Sequence, residues 1–147
     1  MPYYIDPERE QFEAFKALPR DNPVMMLNFL RFRDKAAYED GREATGAEAY
    51  AAYGRESGPV FRRVGGDIIW RGEPELMLIG PKDKHWHMIF VARYPTAGAF
   101  LEMVTDPQYQ IAVKHRQAAV LDSRLIRTGE SDLGGGFSGQ GDENDGP

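Results

Sequence analysis

Nine residues, Val24–Phe32 (VMMLNFLRF), constrain this chain more than any other stretch. Turn-forming residues bound the run, and alternate positions of an extended strand point to opposite faces. One face carries Val24, Met26, Asn28, Leu30 and Phe32, and the other carries Met25, Leu27, Phe29 and Arg31. Both sets are mainly apolar, so the strand needs cover on both sides.

The elements around it define the cover. Pro7–Leu18 predicts a helix over about 7–18, with Asp6 as its cap and Phe12, Phe15 and Leu18 on one stripe. Arg33–Ala44 is a charged insertion, read as a loop or short helix. Thr45-x-x-Glu48 is a capping box opening a helix to about Val64, with a kink expected at Gly58-Pro59. Asp67–Trp70 and Glu75–Ile79 read as one strand interrupted at Arg71-Gly72-Glu73-Pro74, as at a bulge, and Gly80–Lys84 as a hairpin loop. His85–Tyr94 is the next strand. Thr96 caps a helix that Asp106-Pro107 restarts, and Val120–Thr128 is the last strand. The order, after an extra N-terminal helix, is β-α-β-β-α-β. That order predicts an α+β, ferredoxin-like domain: a four-stranded antiparallel sheet with both helices on one face.

Two helices hide only one side of such a sheet. The other side of a lone copy would expose an apolar patch larger than soluble monomers tolerate, so the expectation is a homodimer through the open sheet face.

Charge narrows the partners. Glu130, Asp132, Asp142, Glu143 and Asp145 are five of the 23 acids, and 130–147 has no base. Residues 1–129, read as a single domain with its core over about 24–128, thus balance 18 acids against 18 bases, which disfavours nucleic acid as a partner. The Gly-rich acidic segment 130–147 has little to bury and reads as a disordered tail. No run approaches 18 apolar residues and no basic-then-apolar leader opens the chain, so no membrane contact and a cytoplasmic location are expected. Without cysteine there is no disulfide or thiolate chemistry.

Val64-Gly65-Gly66 leads to Trp70-Arg71-Gly72, then Tyr94-Pro95, then Asp106-Pro107-x-Tyr109 with Arg116 and Ser123-Arg124-Leu125-Ile126. As a set, over roughly 24–128, these resemble the uncharacterised DUF1330 family of the dimeric α/β-barrel superfamily. The N-terminal helix, the 33–44 insertion, the split second strand and the acidic tail depart from the pattern. The resemblance implies the fold and the dimer and no particular reaction. Members of the superfamily include cofactor-independent monooxygenases, haem-handling enzymes and isomerases.

Candidate site residues follow from chemistry that is out of place in its element. Asn28 lies mid-strand, where an unpartnered amide costs free energy, so it either orients a ligand or pairs structurally. Arg31 and Arg93 carry carboxylate-binding forks on apolar strands, or else form ion pairs or snorkel. Arg71 and Arg116 fall on the motif positions. His87 and His115 suit general base work near neutral pH, or hydrogen bonding at a core edge. His85 and His87, two apart, suit a metal pair, but no third ligand is near and no metal is assigned. Tyr50, Tyr53, Tyr109 and Trp70 form an aromatic set that reads as core or as a pocket with polar tips. There is no phosphate loop, nucleophile elbow or zinc helix, and no cofactor is called for. The open readings are a small-molecule-binding homodimer acting as a cofactor-independent oxidoreductase or isomerase on a small aromatic or acidic compound, a non-catalytic sensing module, and, last, a haem or metal binder.

Overall fold

β1 (Val24–Phe32) lies inside a four-stranded antiparallel sheet of order β2-β3-β1-β4, formed with β2 (Asp67–Gly72), β3 (Met88–Tyr94) and β4 (Val120–Thr128). The helices are α1 (Arg9–Ala17), α2 (Gly46–Arg63), α3 (Ala97–Thr105) and α4 (Pro107–Ala119). This computed structural model describes residues 2–130 and Phe137, and the topology is ferredoxin-like. Apart from Glu130 and Phe137, the expected disordered tail lies outside the described residues.

Local chemistry explains most element ends. Thr45 Oγ1 accepts from Glu48 N at 3.0 Å while Glu48 Oε1 accepts from Thr45 N at 2.8 Å, closing the capping box. Gly46 must be glycine: an added Cβ would lie 2.1 Å from the Arg33 carbonyl oxygen. Asp106 Oδ1 accepts from Gln108 N at 2.7 Å, and Pro107 follows at the first position of α4. Gly65 ends the α2 turn at φ +92°, a conformation β-branched or bulky residues resist.

Three boundaries differ from expectation. Glu8, not Asp6, precedes α1, because the Asp6 carboxylate accepts instead from the Gln117 amide at 3.3 and 3.4 Å. Glu75–Ile79 forms no strand. β2 ends at Gly72, Pro74 has no N–H for a ladder, and β3 is already paired on both sides. β3 begins at Met88 rather than His85, although His87 N still donates to Leu30 O at 2.7 Å. The expected irregularity falls earlier, between Ile68 and Trp70. Pro59 lies within α2, which runs through it as one helix.

The core sits between the helices and the face of β1 bearing Val24, Met26 and Leu30, all at most 2 % exposed. One cluster gathers Val60, Tyr94, Phe100, Met103 and Tyr109, with Tyr94 edge-on to Phe61 and Phe100 at 5.5 and 5.3 Å. A second joins Leu30, Ala49, Ala119 and Val120. The opposite, outer face carries Leu27 between Val91 and Ile126, and Phe29 between Ile89 and Arg124. Trp86 packs against Phe29 at 5.8 Å, and Trp70, 56 % exposed, folds over Gly72 on the same side. Among the described residues, no helix covers this face.

Candidate functional site

A cleft of about 1930 Å³ opens between the inner face of the sheet, the α2–α4 layer and the N-terminal arm. Its floor includes Met26, Asn28 and Phe90; α2 contributes Tyr50 and Tyr53, and α4 contributes Tyr109 and Arg116. Arg71 and His87 reach it from the β2 and β3 ends. Seven candidates from the sequence are thus brought together.

Four are not. Arg93 stands opposite Met25 in the register, and Arg31 has the same parity, so both project from the outer face. Trp70 lies on that outer face too. The strand alternation was legible, but which parity meets the helices was not. His115, on α4, turns away from the cleft. Its Nδ1 is 2.6 Å from the Tyr38 hydroxyl and its Nε2 is 2.9 Å from Glu56 Oε2. Nδ1 fastens the 33–44 insertion to α4 and Nε2 ties α4 to α2, leaving neither nitrogen for general base work.

The tyrosines form a linked set. The Tyr53 and Tyr109 hydroxyls are hydrogen-bonded at 2.8 Å, and the Tyr50 and Tyr53 rings lie 5.2 Å apart. Burial pushes all three phenols well above the ordinary tyrosine range, so they remain protonated donors at neutral pH. Arg116 opposes that shift at each of the three, and Arg71 opposes it at Tyr50. Both guanidiniums therefore bear electrostatically on the phenols.

Arg116 has no carboxylate partner among the described residues. It donates to the Ile5 carbonyl and, at 3.3 Å, to Ser123 Oγ. Asn28 donates from Nδ2 to Met26 O at 3.0 Å on its own strand, the structural pairing, while still lining the cleft. His87 Nδ1 accepts from Phe32 N at 2.9 Å, and its ring stacks on Phe32 at 5.5 Å. Burial lowers its pKa, aided by His85 and Arg31. The ring is therefore neutral at pH 7 with its proton on Nε2, a group able to donate a hydrogen bond to a ligand but not to remove a proton. His85 packs edge-on to His87 at 5.5 Å, and no group of three or more metal-ligating side chains occurs among the described residues.

Sequence reasoning missed the wall formed by Tyr4 and Ile5 and the hub that holds it. Tyr4 N donates to Asp122 Oδ1 at 3.0 Å, and Ser123 Oγ donates to Tyr4 O at 2.7 Å. Asp122 is fully buried, and also accepts from Lys84 Nζ and Arg124 Nη1 at 2.8 Å each. The one signal was a lone acid within the strand VLDSRLIRT.

A family model described as a domain of unknown function, DUF1330, matches residues 41–128. The chain belongs to the DUF1330 family. The matched segment of this DUF1330 protein holds the three tyrosines, Arg71, His87 and Arg116, and excludes Asn28 and the N-terminal arm. It is similar to the methylated RPA0582 protein, with 60 % identity and a TM-score of 0.86 over 88 % of this chain and 96 % of that one. A second structure of RPA0582, a protein of unknown function from Rhodopseudomonas palustris, gives 60 % identity and 0.83 over 86 % and 96 %. A dimeric protein of unknown function and ferredoxin-like fold from Bacteroides fragilis shares 11 % identity, with a TM-score of 0.48 over 74 % and 96 %. No curated protein matches the DUF1330 sequence. Among the described residues, no helix is long and apolar enough to cross a membrane.

Proposed function

We propose that this protein is a homodimer that binds a small aromatic acid in the cleft, ring against the tyrosines and carboxylate on Arg116. The observation that carries the reading is a half-buried guanidinium without a carboxylate partner, beside three protonated phenols. A buried cation normally has a counter-ion; here its oxygen ligands are neutral, so an anionic ligand completes it. Arg71 supplies a second positive charge at the mouth, and Met26, Phe32 and Phe90 supply the apolar body. The same donors would stabilise an enolate or phenolate. The cleft therefore favours binding, with anion stabilisation as the chemistry it offers a substrate.

Titration calorimetry with benzoate and with methyl benzoate tests this. Binding of the acid and not the ester is expected. Arg116→Met should weaken it about 10- to 100-fold, the loss of one charge-assisted hydrogen-bonded contact. Equal affinity for acid and ester, or an Arg116→Met variant binding as well as the parent, refutes the reading. Incubation of bound aromatic acids in air, followed by mass spectrometry, separates an enzyme from a binding module.

A further inference from the structure

Residues 73–87 connect β2 to β3, where hairpin connections usually take two to five residues; loops this long are uncommon and mostly functional. The far part of the loop is held to its own sheet. Lys84 reaches Asp122, Trp86 packs on Phe29, and His87 bonds to Leu30, so it lies along the end of the outer face. The near part is not held. Leu76, Leu78 and Ile79 are 80, 84 and 90 % exposed, more than any other large aliphatic residues described. Isolated exposed aliphatics are ordinary; three within four residues, continuous with an uncovered apolar sheet face, mark a contact surface.

Charge identifies the occupant. Glu73 and Glu75, at the base of this arm, make no ion pair among the described residues. Neither do Arg31 and Arg93 on the outer face, although Arg93 stands across from Asp67 in the register. The arm is apolar with two unpaired acids at its base and the face is apolar with two unpaired arginines, so the chain is complementary to itself. Reach is sufficient: fully extended, residues 73–80 would span about 26 Å, more than twice the roughly 10 Å between packed sheet faces.

We propose that the 73–80 arm of one copy crosses onto the outer sheet face of a second copy, seating Leu76, Leu78 and Ile79 against Leu27 and Val91. This rests on the homodimer reading and specifies what clasps it. It also explains why the apolar run Leu76–Ile79 finds no strand partner in its own sheet.

Sedimentation equilibrium of the full chain tests it with two variants. Phe29→Asp probes the sheet face itself. Leu76→Ser/Leu78→Ser/Ile79→Ser probes the arm, at side chains too exposed in one copy to affect its folding, which circular dichroism verifies. The expected result is that the first variant is monomeric and the second has a dimer dissociation constant raised at least a hundred-fold. If Phe29→Asp dissociates the dimer while the arm variant stays within three-fold of the parent, the arm proposal falls and the dimer stands. A parent chain that is monomeric at 10 µM overturns both.

Discussion

Replacing Asp122 by asparagine removes the one negative charge that Lys84 and Arg124 share, while keeping an oxygen for the Tyr4 and Ser123 N–H groups. The carboxylate is fully buried; the Lys84 and Arg124 side chains are 18 and 36 % exposed. A hydrogen bond to a charged group contributes about 1.5–3 kcal/mol, and the partly exposed arginine belongs at or below the low end. The expected loss is about 3 kcal/mol, on the order of 10 °C in melting temperature for a domain of this size. The pH dependence has a definite sign. Burial alone would raise the Asp122 pKa, but Lys84, the Tyr4 N–H and Arg124 outweigh it and hold the carboxyl below its ordinary value. Its stabilisation is thus complete above about pH 4 and lost as pH falls further. Thermal unfolding by circular dichroism at pH 7 and pH 3 measures both effects, and limited proteolysis should show the Tyr4–Asp6 arm released. A variant melting within about 2 °C of the parent at pH 7, or a difference that does not shrink on acidification, refutes the assignment of Asp122 as the hub.

Alkali should act through the tyrosines. Phenols raised by burial contribute stability that is present below about pH 10 and lost above it, so the melting temperature should fall steeply beyond that point. Absorbance at 295 nm should show Tyr50, Tyr53, Tyr94 and Tyr109 ionising only on unfolding; smooth titration of every tyrosine in the folded state contradicts their burial. At the start of α2, Thr45→Ala should cost about 1 kcal/mol as a lost cap. Gly46→Ala should cost more, since its methyl meets the Arg33 carbonyl; the reverse order in denaturant titrations would show that the junction relaxes freely.

Features set by neighbours in sequence were legible. The Thr45–Glu48 box, the Asp106–Pro107 restart and the two-faced β1 each depend on residues within a few positions of one another. Glu75–Ile79 reads as a strand and forms none because a short apolar run states only that the segment seeks cover, and says nothing about a free sheet edge. Arg31 and Arg93 were misplaced for a related reason: periodicity divides a strand into two faces without saying which one meets the helices. Tyr50 and Tyr53 share a side because they lie three apart on one helix, whereas Tyr109 meets them only through the packing of α4 on α2. The N-terminal wall of the cleft had no local signal, since Tyr4 and Asp6 find their partners 111 to 119 positions away.

That separation orders events during biosynthesis. Tyr4 emerges from the ribosome 118 positions before Asp122 and must wait for β4, and Ile5 waits 111 positions for Arg116. At typical translation speeds of about 5–20 residues per second, the interval is roughly 6–24 s, far longer than a helix or hairpin takes to form. The helices can therefore assemble over a trough still lacking one side, and that side is sealed only when the final strand arrives.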